Sequence, residues 1–218
     1  MLFGDGERLA RVFFQGSFMN ILARVRNKVR ALIQSRGTVA MKRALWNKEF
    51  GSGRWDHITD NTGDFVYDAI GRYVGGGAIV DLGCGVASLG VELPAGSYSS
   101  YTGVDISDVA LAKARASAER AGRARTNRYI HDDIESYLPS EPVAVILVSE
   151  CIYYVPKSRV ASSLKRLASR LTPNGVILVR LFERERYADY VRIIENSMHV
   201  VEEIRDENSS AVIIVCRA

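Results

Sequence analysis

The chain has 218 residues, 47% hydrophobic and 25% charged, the balance of one globular domain with at most a small appendage. That excludes a disordered, collagen-like or coiled-coil chain, and no run of about 18 apolar residues marks a transmembrane helix. The net charge of +4 is uneven: residues 1–54 hold eleven Lys/Arg against three Asp/Glu (net +8) and the remainder 18 against 22 (net −4), so a basic nucleic-acid-binding core is not expected.

The first stretch lacks the basic start and apolar core of a signal peptide, because Asp5, Glu7, Arg8 and Arg11 interrupt it. From Phe18 the spacing turns helical. Phe18, Ile21, Leu22, Val25, Val29, Leu32 and Ile33 share one face, with Arg24, Lys28 and Arg30 mostly away from it, and Gly37 as a stop. Such a helix packs its apolar face on the domain edge, or else touches anionic lipid or an acidic partner. Residues 38–62, with Trp46, Phe50 and Trp55, read as a helix and a loop. A second helix from Gly63 carries Phe65, Val66, Ala69, Ile70 and Tyr73, and Gly75-Gly76-Gly77 ends it.

Then strands and helices alternate. Ala78–Leu82 is an apolar strand entering Gly83-Cys84-Gly85. Tyr101–Asp105 is a second strand, followed by Ser107 capping an alanine-rich helix. Asn127–His131 is a third, ending at Asp132-Asp133. Val143–Val148 is nearly all apolar, as befits a strand buried on both faces. Val160, Leu164, Leu167 and Leu171 mark a helix, Pro173-Asn174-Gly175 a turn, and Val176–Arg180 a fifth strand. A helix at Tyr187–Ser197 precedes two strands, near residues 199–204 and 211–216, joined by a hairpin turn at Asp206-Glu207-Asn208. The expected fold is α/β, a doubly wound, mainly parallel seven-stranded sheet with an antiparallel C-terminal strand, plus N-terminal helices. Residues 1–45 form a basic helical arm in this reading and residues 46–218 the domain.

Ligands of open α/β sheets sit at the carboxyl ends of the strands. Four strand ends here carry suitable groups. The first is Asp81 with Gly83, Cys84 and Gly85, whose glycines let the backbone approach a ligand. A dinucleotide fingerprint would need a third glycine where Ser88 stands, and Asp81 would repel a pyrophosphate while suiting an ammonium group. The second is Asp105, placed for a ribose diol or, alternatively, for starting a helix. The third is Asp132-Asp133-Ile134, placed for an adenine amino group or simply an acidic loop. The fourth, Ser149 to Pro156, puts polar and aromatic groups where a second substrate would meet the first. The three cysteines, Cys84, Cys151 and Cys216, form no metal pair and suit a reducing cytoplasm. No metal site is expected.

These residues resemble a class I S-adenosylmethionine-dependent methyltransferase. The resemblance covers residues 46–218 and rests on five segments: Asp81–Gly85, Tyr101–Ser107, His131–Ile134, Ser149–Pro156 and Leu171–Gly175. Ala87 stands where the family often has a third glycine. The chain length and residues Gly53–Asp56 are similar to small bacterial methyltransferases of saccharides and natural products, including those that N-methylate nodulation oligosaccharides. The resemblance implies that S-adenosylmethionine is the cofactor. It implies Asp81 at the methionine ammonium, the Gly83–Gly85 backbone at the methionine part, Asp105 at the ribose, and Ile106 on the adenine. Asp133 (or Asp132) would take the adenine amino group beside the Ile134 backbone, and the Ser149 backbone would lie near the cofactor.

Methyl transfer needs acceptor, methyl and sulfur in line, and a base only if the acceptor is protonated. Glu150, Tyr153, Tyr154 and His57 are candidates, against roles as cofactor shell for Glu150 and pocket wall for the tyrosines. Arg54 and Trp55 are candidates for a lid or substrate contact. The Asp/Asn-Pro-Pro-Tyr/Phe motif of many nucleic-acid amino-methylating enzymes is absent. A small-molecule or saccharide acceptor, methylated on oxygen or nitrogen, is therefore expected. A protein or RNA acceptor is the second reading, and a nicotinamide-dependent oxidoreductase or non-catalytic nucleotide-binding module the third.

Overall fold

The computed structural model describes residues 24–55 and 64–218. Two helices come first, α1 over residues 24–36 and α2 at Val39–Gly51, capped by Thr38. The boundary expected at 45/46 falls inside α2. Next come α3 (Phe65–Val74), β1 (Ala78–Leu82), α4 (Leu89–Glu92), β2 (Ser100–Asp105), α5 (Asp108–Arg120) and β3 (Asn127–His131). They are followed by β4 (Val143–Ser149), a 3-10 turn at Ile152–Tyr154, α6 (Lys157–Ala168), β5 (Leu171–Leu181), α7 (Ala188–Ser197), β6 (His199–Arg205) and β7 (Val212–Arg217).

The seven strands form one sheet in the order β3-β2-β1-β4-β5-β7-β6. Pairs among β1 to β5 are parallel, while β7 runs antiparallel to both β5 and β6. This is the architecture the alternating pattern predicts. Alternate side chains on the same strands feed opposite faces. Val80, Leu82, Ile146, Val148, Ile177, Val179 and Ile214 pack against α6 and α7 on one face. Ile79, Val145, Leu147, Leu178, Ile213 and Val215 pack against α3 and α5 on the other. A central strand covered on both sides can carry no polar alternation, which is why β4 reads as a continuous apolar run.

Two local expectations change. Leu171 does not continue the preceding helix: α6 ends at Ala168 and Leu171 already pairs with Val143. Residues 172–175 then loop out within β5 before Val176 pairs with Val145, so the Pro173-Asn174-Gly175 turn is an interruption inside the strand. The second change concerns α1. Its body-facing residues are Arg30, Ile33 and Gln34, whereas Val25, Val29 and Leu32 are about half exposed. Of the expected apolar face only Ile33 turns inward among the described residues, and a part-buried ion pair shares the inner side with it: Arg30 Nε and Nη2 donate to Glu49 at 2.5 and 2.9 Å. Phe18, Ile21 and Leu22 of the same expected face lie outside the described residues, as does His57.

Candidate functional site

Strand order reverses between β1 and β4, since the chain steps outward from β1 to β2 and β3 and then returns to the other side of β1. The crevice outside the carboxyl ends of these strands is where open α/β sheets take ligands. Asp81 lies near the end of β1, fully inside the protein, and the Tyr101 hydroxyl donates to its Oδ2 at 2.5 Å. Burial pushes its carboxyl up to about 7, the Tyr101 hydrogen bond opposes this, and the nearby Asp105 adds to the rise. Tyr101 is its only donor among the described residues, and no cation pairs with it. Tyr101 is invisible to strand-end reasoning because it starts β2 rather than ending it. It reaches Asp81 from the neighbouring strand, where its backbone pairs with Ile79.

The turn after β1 is built by two glycines in left-handed conformations, Gly83 at φ +70° and Gly85 at φ +53°. A Cβ on Gly83 would lie 2.9 Å from the Cβ of Cys151, and one on Gly85 would meet the Phe50 ring at 3.3 Å. Gly83→Ala is therefore expected to cost about 1–3 kcal/mol through strain and overpacking, lowering Tm by about 3–10 °C. A scanning calorimetry trace indistinguishable from wild type would show that the loop relaxes at no cost. Cys84 packs its sulfur against Gly103, and the Cys151 thiol donates to the Leu82 carbonyl at 3.1 Å. Burial raises both thiols well above the ordinary range, so neither is poised as a thiolate.

Asp105 ends β2 and braces this turn. Its Oδ2 accepts the Gly85 N–H and its Oδ1 the Ser107 N–H, both at 2.8 Å. Burial raises its carboxyl, while these backbone donors pull the other way. Two buried carboxylates thus face the same loop with no Lys or Arg paired to either among the described residues, and a ligand carrying an ammonium or sulfonium charge fits that deficit. The Ile106 carbonyl lies 3.0 Å from His131 Nε2. After β3, Asp132 Oδ1 accepts from the Asp133 N–H and the Ser136 hydroxyl, and Asp133 Oδ1 from the Glu135 N–H. Ile134 reaches back toward Gly83. Asp133 and Lys42 line one side of a groove of about 560 Å³ that runs to Arg159 and Arg166 of α6.

At the end of β4, Ser149 pairs in register with Arg180 of β5, and Glu150 follows at φ +54°, a costly conformation for a residue with a side chain. The Glu150 carboxylate takes Arg180 Nη1 and, at 3.1 Å, the Tyr153 hydroxyl. Burial nevertheless raises its carboxyl above the ordinary value. The other arm of Arg180 donates to Asp64 Oδ2 at 2.6 Å, and its guanidinium lies over the Phe65 ring. Arg180 and Asp64 escape strand-end reasoning, although an arginine in the otherwise apolar Val176–Leu181 run is a visible anomaly. Tyr153 stacks on Tyr187 with centroids 4.4 Å apart and 12° between planes, and Phe182 stands edge-on to both. Burial pushes the Tyr153 and Tyr154 hydroxyls up, and Glu150 adds to the rise at Tyr153.

The N-terminal helices close over this end. Trp46 packs against Phe50, Trp55 and Tyr154. Arg30 lies over the Trp46 and Trp55 rings, and Trp55 Nε1 donates to the buried Glu49 at 3.1 Å. Arg54 covers the Trp55 ring from solvent. Asn47 Oδ1 accepts from the Ser107 hydroxyl and Lys113 donates to the Phe50 carbonyl, so α2 is tied to α5 just above the Gly85 turn. Among the described residues no group of three His, Cys, Asp or Glu could hold a metal ion, and no helix is long and apolar enough to cross a membrane.

A sequence search finds no match among curated proteins. Residues 79–175, from β1 to the interruption in β5, match the family model described as a methyltransferase domain. The fold is similar to magnesium protoporphyrin IX methyltransferase from Synechocystis PCC 6803 with bound S-adenosylmethionine, at 18% identity, 83% of this chain, 97% of that chain and a TM-score of 0.63. It is similar to the N-methyltransferase NodS of Bradyrhizobium japonicum WM9 in complex with S-adenosylhomocysteine, at 14% identity, 79% and 97% coverage and a TM-score of 0.60. A SAM-dependent methyltransferase of Leishmania major matches at 20% identity, 86% and 82% coverage and a TM-score of 0.62. At these identities the likeness is one of fold, and the family match covers the stretch from β1 into β5. Residues 79–175 thus match a methyltransferase domain, and the chain shares the fold of methyltransferases solved with S-adenosylmethionine or S-adenosylhomocysteine bound.

Proposed function

We propose that the chain transfers the methyl group of S-adenosylmethionine to an oxygen or nitrogen of a small-molecule or saccharide acceptor. The observation that carries this reading is the aromatic wall beyond β4 and β5, where Tyr153, Tyr187 and Phe182 meet Tyr154 under Trp46 and Trp55. Aromatic walls with a few polar groups are the usual lining of small-ligand pockets, and they pack well on flat rings and on sugar C–H faces. The acceptors of the fold relatives include a porphyrin, by the name of the first. Three unpaired cysteines suit a reducing cytoplasm as the working compartment.

When bound, S-adenosylmethionine supplies a methyl carbon already activated by its sulfonium. Asp81 balances the ammonium of the methionine part, and the Gly83–Gly85 backbone, with Cys84 beneath it, lies against that part. Asp105 takes the ribose hydroxyls, Ile106 and Ile134 flank the adenine, and Asp133, or Asp132 beside it, accepts from the adenine amino group. The Ser149 backbone borders the transfer site. Glu150, clamped by Arg180, positions Tyr153, and the tyrosines hold the acceptor so that its attacking atom lines up with methyl and sulfur. Trp55 and Arg54 keep water out from above.

The reading is tested by incubating the protein with S-adenosylmethionine carrying a tritiated methyl group and pools of saccharides, phenols, amines, RNA and protein. Label should enter the small acceptors, and label in RNA or protein alone would overturn the acceptor class. Tyr153→Phe is expected to keep kcat within about threefold, since a phenol titrating far above neutrality is no base at pH 7. Tyr153→Ala should raise KM about tenfold by removing the stack on Tyr187. A loss of about a hundredfold or more in kcat for Tyr153→Phe would instead make its hydroxyl a proton carrier.

A further inference from the structure

Helix α1 carries an apolar stripe that the described residues leave exposed. Val25, Val29 and Leu32 follow one another at intervals of four and three residues and are 52%, 50% and 56% exposed. Their side of the helix is fixed, because the opposite side is held to α2 by the Arg30–Glu49 ion pair and by the stacking of Arg30 on Trp46 and Trp55. The stripe is bordered by Arg24, Arg26, Lys28 and Arg36, all exposed, and residues 24–36 contain no acid. None of these four cations has an ion pair or hydrogen bond among the described residues. Elsewhere some exposed cations are paired, as Arg72 is with Glu202 and Lys157 with Asp189, and others such as Lys48, Arg125 and Lys165 are not, so what sets α1 apart is the clustering of four such cations on one helix that carries no acid.

Different occupants would leave different parts of this surface unsatisfied. A nucleic acid would use the cations and leave the valines and leucine in water. A second copy of the chain would bring two sets of unpaired cations together. A protein partner needs about 800 Å² per side, more than the outer face of the described part of α1, residues 24–36 and about 20 Å long, offers. An anionic bilayer satisfies both features at once, since aliphatic side chains enter the acyl boundary while Lys and Arg meet the headgroups.

We propose that the outer face of α1 docks onto an anionic lipid bilayer, with Val25, Val29 and Leu32 inserted and Arg24, Arg26, Lys28 and Arg36 at the headgroups. The contact is peripheral and reversible. It concerns where the enzyme sits and stands independently of which acceptor it methylates.

The test is sedimentation of the full chain with vesicles of phosphatidylcholine containing about one-third phosphatidylglycerol. The protein should pellet with these vesicles, at least about tenfold less with pure phosphatidylcholine, and little in about 1 M salt, where the Debye length falls to about 3 Å. Val29→Glu with Leu32→Glu should abolish pelleting, while S-adenosylhomocysteine binding by calorimetry stays unchanged and shows that the variant is folded. Equal binding to both vesicle types, no binding to either, or unchanged binding by the double variant would overturn the proposal. So would a wild-type dimer in ultracentrifugation that the double variant converts to monomer without any vesicle binding.

Discussion

Replacing Asp105 by alanine is expected to weaken S-adenosylhomocysteine binding at least about tenfold, since each hydrogen bond to a charged group contributes about 1.5–3 kcal/mol. The proposed ribose contact is only part of the reason. Asp105 also receives the N–H groups of Gly85 and Ser107, and alanine would leave both without their acceptor. Each buried donor left unpaired costs about 1–3 kcal/mol, so the variant should also unfold more readily. Asp105→Asn separates the two effects. Its carbonyl can serve one amide while its NH₂ group opposes the other, so it should recover part of the stability and little of the affinity. Isothermal titration with S-adenosylhomocysteine, paired with calorimetric unfolding of the ligand-free protein, reads both quantities. Unchanged affinity in the alanine variant would remove Asp105 from the ribose role.

The second large effect concerns Asp81 and pH. Its folded carboxyl titrates at about 7 against an ordinary 3.8. Between those values the native protein holds a proton that the unfolded chain has released, so this group's contribution to stability falls as pH rises from about 4 to about 7. Above that range the full penalty of a buried, unpaired charge is present. Asp81→Asn should therefore stabilise the ligand-free protein at pH 8, by about 1–4 kcal/mol. The same substitution should weaken S-adenosylhomocysteine, whose ammonium is proposed to meet the charged carboxylate. In the wild type, affinity should fall as pH drops below about 7, by up to about tenfold per unit, and the asparagine variant should lose that slope. Titrations at several pH values decide it. A flat wild-type profile would place the ammonium elsewhere.

The sheet was legible because each strand and helix announces itself locally. β4 is a buried apolar run, Ser107 a cap that accepts from Ala110, and Asp206 to Asn208 a tight return. The carboxylates at strand ends were legible for a topological reason, since an α/β sheet gathers those ends at one edge. What stayed hidden depends on register and on which surface meets which. Tyr101 holds Asp81 from across a strand pair, and only the register of β1 against β2 shows it. Arg180 joins Asp64 to Glu150 over 116 and 30 residues of sequence, distances at which spacing carries no information. Val25, Val29 and Leu32 of the expected stripe do share one face of α1, but Ile33 turns inward, and amphipathicity does not say that the side toward the protein will be the one with an arginine. The loop inside β5 misled for the opposite reason: Pro173-Asn174-Gly175 has the chemistry of a turn between elements and occurs within one.

The place where the strand order reverses also sets a sequence of events in synthesis. Asp81, Asp105 and Asp133 all precede residue 143, so the carboxylates emerge from the ribosome before the strand that completes their crevice. Until Val143–Ser149 is made, β1 has one unpaired edge, and the residues beside it, Ile79, Val80 and Leu82, are destined for complete burial. Asp81 and its β4 partner Leu147 are 66 residues apart, a long closure that slows pairing. An open apolar edge during that interval is a template for pairing with other chains. The half of the molecule that carries the most recognisable chemistry is thus the half least able to stand alone, and its safety during synthesis rests on the timely arrival of a strand with no polar side chain before its last residue.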